Sequence, residues 1–150
     1  MKRCLCQTGA GVTVTESAGA MFFTYDPDGD LPDDRWLPFA TIVTTDDYDS
    51  VSRLSRPDTY RLNIGLTKAT YTSMFGAAPT RRDEHGVLDT GFDYAVLDQV
   101  LRHPMYASQY WVCVVNPSDA TGEKLRPLVA EAYEFAVRKH ANHRARQARS

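Results

Sequence analysis

A chain of 150 residues is long enough to bury one hydrophobic core and too short for two domains of ordinary size. Its hydrophobic fraction of 43% and charged fraction of 24% exclude wholesale disorder, a collagen-like repeat and a long coiled coil. No apolar run approaches the roughly 20 residues of a membrane span, and the lead Met1-Lys2-Arg3-Cys4-Leu5-Cys6-Gln7 runs into no apolar stretch of signal-peptide length. The expectation is one cytoplasmic domain over 1–150 with no membrane contact, whose first ten residues form an irregular lead.

In chain order, Val12-Thr13-Val14-Thr15 alternates as a short strand, and Gly19 punctuates it. Met21-Phe22-Phe23-Thr24-Tyr25 reads as a second strand. It ends at Asp26-Pro27-Asp28-Gly29, a turn in which proline presets φ and glycine supplies a positive φ. Residues 36–43 form the next strand, with Pro38 at its edge or beginning. Thr44 or Thr45 is positioned to cap a short helix through Asp46, Asp47, Tyr48, Val51 and Leu54, which Pro57 closes.

Residues 60–66 alternate cleanly, so Leu62 and Ile64 share a buried face while Arg61 and Asn63 share the polar one. Thr67 caps a second helix carrying Tyr71, Met74 and Phe75, and Gly76 ends it. Residues 77–91 read as a loop. The spacing of Phe92, Val96, Leu97, Val100 and Leu101 predicts a third helix over 92–102. Residues 110–115, aromatic and β-branched, make the strongest strand and stop at Asn116-Pro117. From about Thr121, Leu125, Leu128, Val129, Ala132, Phe135 and Ala136 form an apolar stripe. Pro127 lies within it and predicts a late regular start after an irregular first turn. Strands in hairpin order followed by helices gathered on one side predict an α+β two-layer sandwich over a mainly antiparallel sheet.

Net charge is −2, unevenly spread: residues 26–49 hold eight Asp against one Arg, while 138–150 hold five Lys or Arg and no acid. The second stretch reads as a basic, frayed tail. An acidic body with a basic end is not the balance of a nucleic-acid-binding core, which places its basic residues on a folded face. Cys4, Cys6 and Cys113 form no C-x-x-C pair and no zinc spacing, so reduced thiols are expected, with Cys113 buried in its strand. Asp26, Asp28 and Asp30 lack the glycine position and the terminal glutamate of a calcium loop, and His140 and His143 read as solvated, so no metal site is expected. No cofactor fingerprint is present.

Three stretches carry a family resemblance: Phe22-Phe23-Thr24-Tyr25-Asp26-Pro27-Asp28-Gly29; Arg61-Leu62-Asn63-Ile64-Gly65; and His103-Pro104-Met105-Tyr106-Ala107 with Trp111-Val112-Cys113-Val114-Val115-Asn116-Pro117. As a set, over about residues 9 to 137, they resemble an actinobacterial family described only as a domain of unknown function. That likeness implies no activity. More distantly, the final strand and helix, with Tyr133 near the helix centre, resemble the MmcQ/YjbR group, which implies a frataxin-like α+β fold and a DNA-binding role. Both patterns imply an amphipathic helix before Gly11-Val12, where this chain has a short Cys-containing lead. Either the reading frame starts short, or one layer is incomplete and a homodimer partner covers the exposed face.

Two local sites stand out. At His103-Pro104-Met105-Tyr106 a predicted helix end, a rigid proline and two proton-transferring groups converge, so His103 is a candidate general acid or base with Tyr106 nearby. The competing reading is a C-terminal cap with a packed tyrosine. Arg61 and Asn63 project from one sheet face, and a guanidinium fork beside an amide suits a carboxylate or phosphate. Its competitor is a solvated face with one salt bridge.

Three functions follow. The first is a non-enzymatic binding or regulatory domain whose polar sheet face, with Arg61, Asn63, His103 and Tyr106, holds a small anionic ligand or a protein partner. The second is a DNA-associated regulator using the basic tail. The third is a small cofactor-free enzyme built on His103.

Overall fold

The computed structural model describes residues 11–32 and 37–149. The irregular lead over 1–10, its two cysteines and Trp36 lie outside the described residues. Strand β1 (Val12–Ser17) and strand β2 (Ala20–Tyr25) form a hairpin through Ala18 and Gly19, both at positive φ, the backbone pair that a tight hairpin needs. Strand β3 (Ala40–Val43), strand β4 (Arg61–Gly65), helix α1 (Lys68–Phe75) and strand β5 (Leu101–Arg102) follow. A 3₁₀ turn (Ala107–Gln109), strand β6 (Trp111–Val115) and helix α2 (Asp119–Arg149) come last among the described residues. The strands make one six-stranded sheet in the order β1-β2-β3-β4-β6-β5, and every pairing is antiparallel. The fold is α+β, as composition and patterning predict.

Register assigns the two faces. Ile42 pairs with Leu62, and Leu62 with Val114, so these side chains lie on one face with Phe23, Ile64 and Val112. Helix α2 covers that face with Leu125, Val129 and Ala132, and all of these residues fall in one buried cluster. The helix starts at Asp119, earlier than Pro127 led one to expect. Ser118 Oγ accepts the Thr121 amide at 3.3 Å and its carbonyl accepts the Gly122 amide at 2.7 Å, so the first turn is capped and regular. With Leu125 and Val129 buried, the apolar stripe outweighs the one backbone bond that Pro127 cannot make. The basic segment from 138 onward is the last part of this helix. Its His140 packs edge-on against Tyr25 and lies 3.6 Å from Asp28, and Arg144 pairs with Asp28 and Asp30.

Two expected helices are absent, and both segments are loops on the opposite face. In residues 44–57 isolated turns, with the Arg53 amide on the Ser50 carbonyl at 3.2 Å and the Arg56 amide on the Arg53 carbonyl at 3.4 Å, stand beside bonds that reach across the segment or out of it. Asp46 accepts the amides of Leu54 and Ser55 at 2.8 and 3.2 Å, Tyr48 donates to the Ser17 carbonyl at 2.8 Å, and Arg53 sits at φ 50. So short a helix is marginal alone, and these bonds outcompete it. In 92–102, Asp98 adopts φ 59, donates its amide to the Val115 carbonyl at 2.7 Å and accepts the Ser118 amide at 2.7 Å. The helical spacing there does not mark a buried stripe, because Phe92, Val96 and Leu97 are exposed. Instead Leu101 pairs with Cys113 as part of β5. Leu54 joins Ala20, Val43 and Val115 in a second cluster, and Val51 and Val87 pack with Tyr94, Leu101 and Cys113 in a third.

Candidate functional site

Because these loops cover the second face, the polar side of β4 is not solvated. Arg61 and Asn63 are each 2% exposed. Strand pairing sets Asn63 between Thr41 on β3 and Cys113 on β6, and Arg61 between Val43 and Val115. A buried guanidinium needs partners for nearly all of its five N–H groups, and Arg61 finds them. Nε donates to Asn63 Oδ1 at 3.0 Å, Nη1 donates to Asp49 Oδ1 and Ser52 Oγ at 3.0 Å each, and Nη2 donates to Asp49 Oδ2 at 2.7 Å. Asn63 then donates through Nδ2 to Thr41 Oγ1 at 2.9 Å. The two-pronged Arg61–Asp49 pair leaves this region with no net charge.

The His103 corner comes from the segment linking β5 to β6. The His103 amide donates to the Trp111 carbonyl at 3.0 Å, and the Pro104 carbonyl accepts the Leu88 amide at 2.8 Å, which pins both ends of the turn. Nδ1 of His103 accepts the amides of Met105 and Tyr106 at 3.0 and 3.1 Å. A nitrogen that accepts two N–H groups carries no proton, so the neutral ring holds its proton on Nε2. The ring is 2% exposed, and burial, reinforced by the positive charge of Arg61, holds its pKa well below the ordinary imidazole range. Tyr106 packs against it with ring centroids 5.0 Å apart and the rings tilted by 36°, and it remains 51% exposed. Cys113, behind Asn63 in the sheet, is a buried thiol pushed up to about 12 by burial, so it stays protonated and unreactive.

A cavity of about 520 Å³ opens over these groups. Arg61, Asn63, His103 and Tyr106 all line it, together with Asp49. Its apolar wall includes Phe22, Val43, Leu66, Met105 and Trp111, and exposed Leu37, Tyr48 and Lys139 stand around its mouth. Gly65 makes room for the Trp111 wall, since a β-carbon there would lie 2.8 Å from the indole Cε2. Chemically the cavity wall offers a neutral imidazole, a charge-compensated guanidinium and an apolar enclosure. Nδ1 of that imidazole is held by its own turn and is not free to accept from a guest.

Asp49 was not legible as the partner of Arg61. In the sequence it is one acid in a run, and only the loop path brings it back over β4. Lys139, read as part of a solvated tail, likewise reaches the cavity only because α2 continues past residue 138. Among the described residues no group of three or more His, Cys, Asp or Glu is arranged to hold a metal ion. No helix among them is long and apolar enough to cross a membrane.

A family model described as a family of unknown function, DUF6194, matches residues 2–146. The chain belongs to DUF6194. That span takes in the described sheet of this DUF6194 chain, helix α1, helix α2 almost to its end, and every described residue lining the cavity. No curated protein and no solved structure matches this DUF6194 chain significantly.

Proposed function

We propose that the protein is a non-enzymatic binding or regulatory domain, and that its cavity takes a small amphipathic molecule with an apolar body and a hydrogen-bond acceptor. The observation that carries this reading is the convergence of Arg61, Asn63, His103 and Tyr106 on one cavity. Its size, about 520 Å³, falls within the range of roughly 300–1,000 Å³ typical of small-molecule sites. In this reading the Nε2–H of His103 donates to the ligand, Tyr106 and Trp111 clasp its apolar part, and the Arg61–Asp49 pair keeps the floor rigid. A donor already oriented by its own backbone turn loses little freedom on binding, which favours affinity.

The fixed Nδ1 weighs against His103 as a general base, because the nitrogen facing a substrate would already carry its proton. The DNA-associated reading, drawn from the basic segment at 138–150 and the distant MmcQ/YjbR likeness, has less support. Arg144 of the basic segment is paired with Asp28 and Asp30, which reduces the free positive charge there.

A thermal-shift screen of amphipathic metabolites tests the binding reading. A ligand present at about 100 times its Kd stabilises the folded state by about 2.7 kcal/mol. A hit that raises the melting temperature of the wild type, and does so by less than half as much in Tyr106→Ala, supports the cavity. Tyr106 is half-exposed, so the variant keeps the fold. Equal shifts in both proteins for every hit would rule the cavity out.

A further inference from the structure

We propose that the ligand of this cavity carries a single negative charge and that Lys139, not Arg61, holds it. The inference rests on the cavity being a ligand site. Its basis is the contrast between the two cations that line it. Arg61 lies buried at the floor with its charge matched by a two-pronged carboxylate, Asp49. A second anion brought to Arg61 would meet Asp49 directly, and like charges at that distance in a buried site repel strongly.

Lys139 stands on α2 at the mouth, with its ammonium 4.5 Å from the centroid of the Phe135 ring and with no carboxylate partner among the described residues. Phe135 also lines the cavity, so the ammonium is held over an apolar wall of the site and not out in bulk water. The buried His103 ring, also on the wall, is neutral. Among the described residues, one uncompensated positive charge at the mouth and a neutral floor select a monoanion with an apolar body, such as an aryl or alkyl carboxylate or sulfonate. A compact dianion such as inorganic phosphate finds no second uncompensated cation among the described residues and no use for the apolar walls. The acceptor-bearing end of the guest points inward to His103, and its charged end stays at the mouth.

Two fluorescent probes with the same rings separate the charge from the cavity. 1-Anilinonaphthalene-8-sulfonate carries one negative charge, and N-phenyl-1-naphthylamine is its uncharged counterpart. In titrations of the full chain, Lys139→Gln is expected to weaken the sulfonate by roughly three- to fivefold, the scale of a partly exposed ion pair, and to leave the neutral probe unchanged. Lys139→Arg should restore sulfonate binding. Inorganic phosphate at millimolar concentration should displace neither probe. If Lys139→Gln leaves both affinities unchanged, or weakens both equally, the charge assignment is wrong while the cavity reading stands. If neither probe binds the wild type, the cavity reading itself fails and this inference with it. The melting temperature of each variant, measured without probe, separates loss of binding from loss of fold.

Discussion

Arg61 and Asp49 face each other through two hydrogen bonds, at 3.0 and 2.7 Å, with side chains only 2% and 9% exposed. The residues are twelve positions apart, and the loop between them is held by further bonds to Asp46. This pair is the keystone of the second face. It joins β4 to the loop that closes over it, and it determines that the cavity floor is neutral.

Removing one member of the pair leaves a buried charge without a partner. Asp49→Ala is expected to destabilise the fold by about 3–5 kcal/mol. Replacing both, as Asp49→Leu with Arg61→Met, should recover most of that loss, because the desolvation cost disappears with the charges. Urea denaturation of the single and double variants measures this. A single variant within 1 kcal/mol of wild type would show that the pair is solvated.

His103 should impart a pH dependence to stability. Its native pKa is depressed by burial and by Arg61, whereas in the unfolded chain it returns to about 6.5. Below that value the unfolded state binds a proton that the native state refuses. Stability is therefore complete above about pH 6.5 and falls as the pH drops below it toward the native pKa. His103→Asn should flatten this part of the profile. Nitrogen NMR of the imidazole at pH 7 should show Nε2 protonated and Nδ1 bare; the opposite tautomer would refute the assignment.

Gly65 is needed for space and not for a positive φ. A β-carbon there would lie 2.8 Å from Cε2 and 3.0 Å from Cζ2 of Trp111, closer than packed atoms approach. Gly65→Ala is expected to cost about 1–3 kcal/mol through displacement of the indole and to weaken any ligand that rests on that wall. Melting temperature and near-ultraviolet circular dichroism report the two effects. An unchanged aromatic signal would argue that the ring is not packed against β4.

Asp46 organises the loop at a distance from the cavity. Its pKa is lowered: burial opposes this, and the hydrogen bonds from the Leu54 amide and from Ser55 outweigh it. Asp46→Ala removes the acceptor for two amides and should destabilise the fold by about 1–2 kcal/mol. The larger effect is expected on binding, because the same loop carries Asp49 and Ser52 to Arg61. Hydrogen exchange at Leu54 and Ser55 should quicken in the variant. Unchanged protection there would place the restraint elsewhere.

The sequence by itself determined what repeats along the chain. Alternation in residues 12–15 and 60–66 identified strands, because side chains in a strand face opposite sides with period two, and aromatic or β-branched content identified those at 21–25 and 110–115. Thr67 and Gly76 marked the ends of α1, because capping is a local hydrogen-bonding matter. The apolar stripe from Leu125 identified α2, though Pro127 misdirected its start. Local patterns failed where bonds to distant residues decided the conformation: Asp46 bound to Leu54 and Ser55, and Asp98 bound to Val115 and Ser118, turned two helix-like stretches into loops. The candidate site divides in the same way. Arg61, Asn63, His103 and Tyr106 stood out by residue type and alternation, but their meeting in one cavity, the neutralisation of Arg61 by Asp49 and the arrival of Lys139 at the mouth belong to tertiary structure. Charge compensation and enclosure depend on distances between residues far apart in sequence, and no periodicity encodes those distances.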